Sequence, residues 1–131
     1  MRRAANLPGM DDLLYDVTNG IAIVTLNRPA KKNALSRAIF DGLPDIAARI
    51  SADTTVRVVI LTGAGGDFSA GIDLGLLQSF LPKMDETRAE MRATKDGPNW
   101  FQRPVTCWGA VSVPVIAVTQ GVCFGGGMQL A

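Results

Sequence analysis

The chain has 131 residues, of which 47% are hydrophobic and 19% are charged, and its formal net charge is +1. This length and composition predict one globular domain or part of one. The balanced charge gives no electrostatic reason to expect binding to nucleic acid or to an acidic membrane surface. Because the chain contains no histidine, neither a Ser-His-Asp triad nor a His-ligated zinc site can be built from it.

Residues 1–12 predict a flexible N-terminal leader, which carries Asn6, Pro8 and Asp11 where a signal peptide would have an apolar stretch. No apolar run approaches the roughly 20 residues of a membrane span. We therefore expect a cytoplasmic protein without a membrane anchor. The cysteines, Cys107 and Cys123, have no metal-ligand or redox spacing, so we expect reduced thiols and no metal.

Residues 13–131 show an alternation of strand and helix patterns. Asn19-Gly20 between residues 14–18 and 21–26 predicts a β-hairpin, because both turn positions accept a positive φ. Ser36 is a favourable N-cap for a helix that follows, and Pro44 predicts a kink in that helix or a split at Leu43. Residues 56–62 are apolar and β-branched, as in a strand buried on both faces.

The second half of the chain repeats this order. Asp73 is suited to cap a short helix over residues 74–80. Residues 83–97 are highly charged and predict a solvated, mobile segment, part helix and part loop. Residues 100–111 carry a helical apolar stripe that Pro104 interrupts, and residues 115–119 predict another buried strand. The alternation indicates an α/β fold with a mostly parallel or mixed sheet.

Two glycine-rich segments, residues 63–71 and 121–127, each follow a buried strand and precede a helix. Ligands of open α/β sheets bind at the carboxyl ends of strands, so free backbone N–H groups there can converge on one oxygen as an oxyanion hole. The alternative is a pair of tight turns without chemistry. Dinucleotide and P-loop phosphate sites fit poorly, since neither G-x-G-x-x-G nor a Gly-Lys-Ser/Thr sequence is present in the required place.

Four collinear motifs resemble the crotonase (enoyl-CoA hydratase/isomerase) superfamily. They are Asn27-Arg28-Pro29 with Asn33-Ala34-Leu35; Val59-Ile60-Leu61-Thr62-Gly63; Phe68-Ser69-Ala70-Gly71-Ile72-Asp73-Leu74; and Pro114-Val115-Ile116-Ala117 with Gly121 and Gly125-Gly126-Gly127. The resemblance implies a crotonase-like spiral ββα core of α/β class. It also implies assembly as a homotrimer or a dimer of trimers.

The resemblance implies an acyl-CoA thioester as ligand, with coenzyme A as part of the substrate and no separate cofactor. Its two oxyanion donors map to the main-chain N–H groups of Ile72 and Gly126, which would stabilise a thioester enolate. The CoA-binding segment maps to Ala30, Lys31, Lys32 and Ala34, where a solvated charge pair is the alternative for the lysines. Ala70, Ile72, Asp73 and Leu74 correspond to residues along the adenine and pantetheine path; for Asp73 the alternative is an N-cap alone.

Hydratases of this superfamily carry a glutamate where this chain has Gln129, as one of two carboxylates that activate water. Glutamine can hydrogen-bond a water molecule but cannot accept a proton at neutral pH. Gln129 therefore favours a one-carboxylate reaction, such as double-bond isomerisation, over standard hydration; a simple polar residue in the first turn of a helix is the alternative.

The resemblance covers the N-terminal half of a typical member, so residues 13–131 read as a truncated crotonase-like domain, which we expect to be inactive alone. The leading hypothesis is an acyl-CoA enzyme of the hydratase/isomerase type. Two alternatives are an enoyl- or dienoyl-CoA isomerase with one downstream carboxylate and a non-catalytic acyl-CoA-binding homologue. A Clp-type serine peptidase would need Ser69 or Ser112 as nucleophile, and the chain lacks its histidine.

Overall fold

A mixed five-stranded sheet organises the part of the chain that the computed structural model describes, residues 3–4, 11–92 and 97–131. The strands lie in chain order: β1 (Arg3–Ala4), β2 (Leu13–Thr18), β3 (Ile21–Leu26), β4 (Val58–Gly63) and β5 (Val115–Ala117). β1, β2 and β3 are antiparallel, whereas β3, β4 and β5 are parallel. The predicted α/β fold with a mixed sheet is therefore confirmed.

The β2–β3 hairpin turns at Asn19 and Gly20, whose φ angles are 52° and 80°. These positive angles explain why Asn-Gly occupies the turn. β1 is a correction to the expected leader, because Arg3–Ala4 pair with β2 at Val17 and Asp16. Two residues without an apolar pattern give no strand signal in the sequence. Residues 1–2 and 5–10 of the expected leader lie outside the described residues.

The described helices are α1 (Arg37–Ala52), α2 (Leu74–Phe80), α3 (Met84–Arg92), α4 (Arg103–Thr106) and α5 (Gly126–Leu130). Both predicted N-caps are confirmed: Ser36 Oγ accepts from Ile39 N–H, and Asp73 Oδ1 accepts from Leu76 N–H. α3 occupies the charged segment and is almost wholly exposed, as expected. Residues 93–96 of that segment lie outside the described residues.

Pro44 does not split α1, which continues from Arg37 to Ala52. A proline inside a helix removes one backbone donor and crowds the preceding turn. The surrounding apolar residues offset that cost, since Ile39, Leu43 and Ile46 are fully buried. Packing of an amphipathic face supplies most helix stability in proteins, and here it overrides the local signal for a break at Leu43.

The described residues cover one face of the sheet and leave the other face open. Alternate residues of β3 and β4, including Val24, Val59 and Leu61, are buried and belong to the same core as α1. The opposite face is more open: Ile23 and Ile116 are 37% and 51% exposed. The expectation that β4 is buried on both faces is therefore wrong within the described chain, because Val58, Ile60 and Thr62 remain half-exposed.

Candidate active site at the two glycine turns

A buried asparagine fixes the loop that leads from β3 to α1. The Asn33 amide donates to the carbonyls of Ala64 and Asp67 at 2.8 and 2.7 Å, and its Oδ1 accepts from Arg28 N–H at 2.8 Å. Asn33 is fully buried, with a φ of 52°. The Asn33 side chain thus satisfies three backbone polar groups and connects the predicted CoA-binding loop to the first glycine turn.

Ile72 lies opposite Leu35 in a single parallel bridge. Leu35 N–H donates to the Gly71 carbonyl at 2.7 Å, and Asp73 N–H donates to the Leu35 carbonyl at 3.0 Å. In this pairing the flanking residues bond to Leu35, so the N–H of Ile72 points to the other side of its strand. No acceptor for that N–H is present among the described residues.

The second glycine turn passes close to the Ile72 nitrogen. A Cβ added at Gly126 would lie 3.9 Å from the Ile72 nitrogen, and a Cβ added at Gly71 would lie 3.5 Å from the Gly126 nitrogen. Gly126 begins α5, so its own N–H has no partner within the helix. The main-chain nitrogens of two half-exposed residues, Ile72 and Gly126, therefore belong to neighbouring segments of the two glycine turns.

A carboxylate connects the two glycine turns on their far side. Asp67 Oδ1 accepts from Val122 N–H at 2.8 Å, and a Cβ at Gly121 would come within 2.4 Å of that oxygen. The hydrogen bond from Val122, followed by the charge of Lys32, lowers the pKa of Asp67. Asp67 thereby remains ionised and holds the second turn against the first.

Asp73 is committed to a structural role within the described chain. Its Oδ2 accepts from Arg28 Nη1 at 3.0 Å while its Oδ1 caps α2, and Arg28 also donates to the Ala34 carbonyl. The backbone hydrogen bond from Leu76 and then the Arg28 bond lower the Asp73 pKa. The predicted N-cap is thus confirmed, and a role for Asp73 in CoA binding stays a prediction.

The other predicted ligand-binding residues surround the same end of the sheet. Ala30, Lys31 and Lys32 are exposed, and Ala34 is half-buried. Ala70 N–H donates to the Lys32 carbonyl at 2.8 Å, which holds the two predicted segments together. Lys32 makes a 3.5 Å ion pair with Asp67, while Lys31 makes none with a described residue. Leu74 is 72% exposed at the start of α2.

Gln129 lies on α5 and is exposed, and its N–H donates to the Gly125 carbonyl at 3.1 Å. The first-turn position that the sequence predicted is therefore confirmed, and its chemical role stays a prediction.

Ser69 is fully buried and hydrogen-bonded, so it cannot serve as an exposed nucleophile. Burial also raises the pKa of Cys107 to about 11, which suppresses its thiolate.

The sequence motifs drew attention to the two glycine turns but gave no role to three polar residues that hold those turns in place, Arg28, Asn33 and Asp67. All three residues lie inside or beside the quoted motifs. A polar residue among glycines and apolar residues was the feature of the sequence that could have indicated their role. Among the described residues, no group of three metal-ligating side chains is present. None of their helices has the length and apolar character needed to cross a membrane.

Comparison with known proteins gives a consistent result. A family model described as enoyl-CoA hydratase/isomerase matches residues 16–131. The chain is 38% identical over 109 residues to the mitochondrial Delta(3,5)-Delta(2,4)-dienoyl-CoA isomerase of Mus musculus, covering 82% of this chain and 33% of that protein. It is 31% identical over 116 residues to the hydroxycinnamoyl-CoA hydratase-lyase of Pseudomonas fluorescens, covering 87% and 40%.

A solved structure gives the same result for the fold. The chain superposes on an enoyl-CoA hydratase/carnithine racemase from Magnetospirillum magneticum with a TM-score of 0.79 and 34% identity, covering 94% of this chain and 44% of that one. The crotonase-like fold expected from the sequence is thus confirmed. The chain spans one third to less than half the length of the relatives that it matches.

Proposed function

The chain belongs to the enoyl-CoA hydratase/isomerase family, and from this premise we propose that it supplies the oxyanion hole of an acyl-CoA enzyme. Ile72 and Gly126 would donate their main-chain N–H groups to a thioester carbonyl. That oxygen gains negative charge as the thioester becomes an enolate, so fixed donors favour the transition state over the ground state. The observation that carries the proposal is the close approach of these two N–H groups, neither of which has a backbone acceptor among the described residues.

Charge on the neighbouring loop supports coenzyme A as the carrier of the acyl group. Lys31 is exposed and makes no ion pair with a described residue, so its ammonium is available to a phosphate. Lys32 is partly neutralised by Asp67. Coenzyme A would thus enter as part of the substrate, without a separate cofactor.

Gln129 favours isomerisation over hydration as the reaction of the whole enzyme. Hydration by the two-carboxylate route needs a second proton acceptor, and an amide cannot act as one. The relatives include a dienoyl-CoA isomerase and a hydratase-lyase, so the preference rests on Gln129 alone. A non-catalytic acyl-CoA-binding protein is the second candidate, because main-chain donors can bind a thioester without any proton transfer.

A binding experiment tests the oxyanion hole directly. The purified chain is titrated with an acyl-CoA thioester and with the matching thioether, which lacks the carbonyl oxygen. We expect the thioester to bind about tenfold more tightly, the order of one or two net hydrogen bonds. Equal affinity for the two ligands would contradict the proposed donors.

Two variants at one position separate the donor from the shape of the site. Gly126→Pro removes the N–H at the first helical residue, where proline is tolerated. Gly126→Ala adds a Cβ but keeps the N–H, and that Cβ meets only the flexible end of Leu35 within 3.5 Å. The thioester preference should fall in the proline variant and persist in the alanine variant.

Turnover assays address the reaction. We expect the purified 131-residue chain to catalyse neither crotonyl-CoA hydration nor 3-enoyl-CoA isomerisation, because the proposed carboxylate is not among its residues. Measurable hydration by this chain would contradict both that expectation and our interpretation of Gln129.

A homotrimer or dimer of trimers in the cytoplasm remains part of this proposal; sedimentation of the chain tests the assembly.

A further inference from the structure

Ser69 lies beneath both proposed donors. It is fully buried, and its Oγ donates to the Asn33 carbonyl at 2.8 Å and accepts from Gly71 N–H at 3.1 Å. Gly71 immediately precedes Ile72. One hydroxyl therefore holds the Ala70–Gly71 peptide, which directly precedes the Gly71–Ile72 peptide that carries the first donor.

The same residue contacts the second turn through its backbone and its Cβ. Ser69 pairs with Cys123 in a parallel bridge, and its carbonyl accepts from Phe124 N–H at 3.0 Å. A Cβ added at Gly127 would lie 2.7 Å from both the Ser69 Cβ and the Ser69 carbonyl oxygen. The start of α5, which carries Gly126, therefore packs directly on Ser69.

We propose that Ser69 is a positioning residue that sets the separation and direction of the Ile72 and Gly126 donors. It is suited to this role because it is small enough to fit under Gly127 and polar enough to satisfy Gly71 N–H. Alanine would leave that buried N–H without its partner. A larger side chain would push α5 away from the first turn. This inference rests on the proposed function, because it concerns how the same oxyanion hole is built.

The experiment measures the infrared stretching frequency of the thioester carbonyl when an acyl-CoA binds to the chain. Hydrogen bonds from the two donors polarise the carbonyl and lower its frequency. If Ser69 contributed only to folding, the folded fraction of a Ser69 variant would show the same frequency shift as the unmodified chain. We expect Ser69→Ala to lose at least half of the shift while the affinity for free coenzyme A stays within twofold. Ser51→Ala, at an exposed hydroxyl on α1, is the matched control and should leave the shift unchanged.

Two further variants keep the test decisive. Gly127→Ala keeps the Ser69 hydroxyl but adds a Cβ 2.7 Å from the Ser69 Cβ and carbonyl oxygen, so it must displace α5 from Ser69 and should reduce the shift as well. Ser69→Cys, which keeps a weak donor and acceptor, should restore part of the shift. Circular dichroism identifies the variants that fold. If Ser69→Ala does not fold, the frequency shift measured in Gly127→Ala tests the proposal instead.

The outcomes distinguish the two proposals. If the unmodified chain binds acyl-CoA without any shift, the oxyanion hole itself is contradicted, and the role of Ser69 with it. If the unmodified chain shows the shift and the folded Ser69→Ala or Gly127→Ala variant retains it in full, the role of Ser69 is overturned while the oxyanion hole stands.

Discussion

The carboxylate of Asp73 shows how one residue combines a helix cap with an ion pair. It accepts from Leu76 N–H and from Arg28 Nη1, and both bonds favour its charged form. Replacing an N-cap aspartate with alanine typically costs about 1 kcal/mol of stability. We expect Asp73→Ala to cost at least that, since it also leaves Arg28 without this partner; urea denaturation at neutral pH measures it.

The lowered pKa of Asp73 also predicts a dependence of stability on pH. A carboxyl whose pKa is lower in the folded state stabilises the fold above its unfolded pKa, about 3.9. That contribution is lost as the pH falls through the folded value. Unfolding midpoints between pH 7 and pH 3 should therefore fall less steeply in Asp73→Asn than in the unmodified chain. Equal slopes in Asp73→Asn and the unmodified chain would contradict the prediction.

The glycine turns are elements whose shape leaves no room for side chains at certain positions. Gly121 has a φ of 56°, and a Cβ there would come within 2.4 Å of Asp67 Oδ1 and the Gly66 carbonyl. Both the backbone angle and the contact penalise any other residue. We expect Gly121→Ala to destabilise the fold by about 2–4 kcal/mol, the range of severe substitutions. Gly109→Ala is the control, since a Cβ there meets no atom within 4 Å. Guanidinium denaturation compares them, and similar losses for both would contradict this account.

Local chemistry explains which elements could be predicted from the sequence. The Asn19-Gly20 turn and the Ser36 and Asp73 caps depend on groups a few residues apart, so their signals are local. Of the two outcomes predicted at Pro44, a kink or a split at Leu43, the split does not occur, because core packing offsets the cost of the proline and no local pattern encodes that packing. The two-residue strand β1 exists only by pairing with β2. In the candidate site, the glycines marked the two turns, whereas the interactions of Asn33 and Asp67 join segments more than 30 residues apart.

The whole molecule leaves an apolar surface on one face of its sheet. Ile23, Ile60 and Ile116 stand in register across β3, β4 and β5, and Ile23 and Ile116 are more than one third exposed. Parallel strands are normally buried on both faces. β5 is also an edge strand in the described sheet, which presents unpaired backbone groups. The described chain thus combines two features that promote association.

Self-association through this face is therefore expected to depend on concentration and to respond to a single charge. Ile116→Lys places an ammonium at the β5 end of the apolar row, on the edge strand, where a second copy would have to desolvate it. Sedimentation velocity over a tenfold or larger concentration range should show less association for Ile116→Lys than for the unmodified chain. Leu81→Lys is the matched control: Leu81 is 61% exposed and lies beyond α2, away from the sheet. If Leu81→Lys lowers association as much as Ile116→Lys does, general charge rather than the sheet face governs the behaviour. If neither variant changes the association, the open sheet face is not the surface through which copies associate, because a buried lysine at Ile116 would have disfavoured that contact.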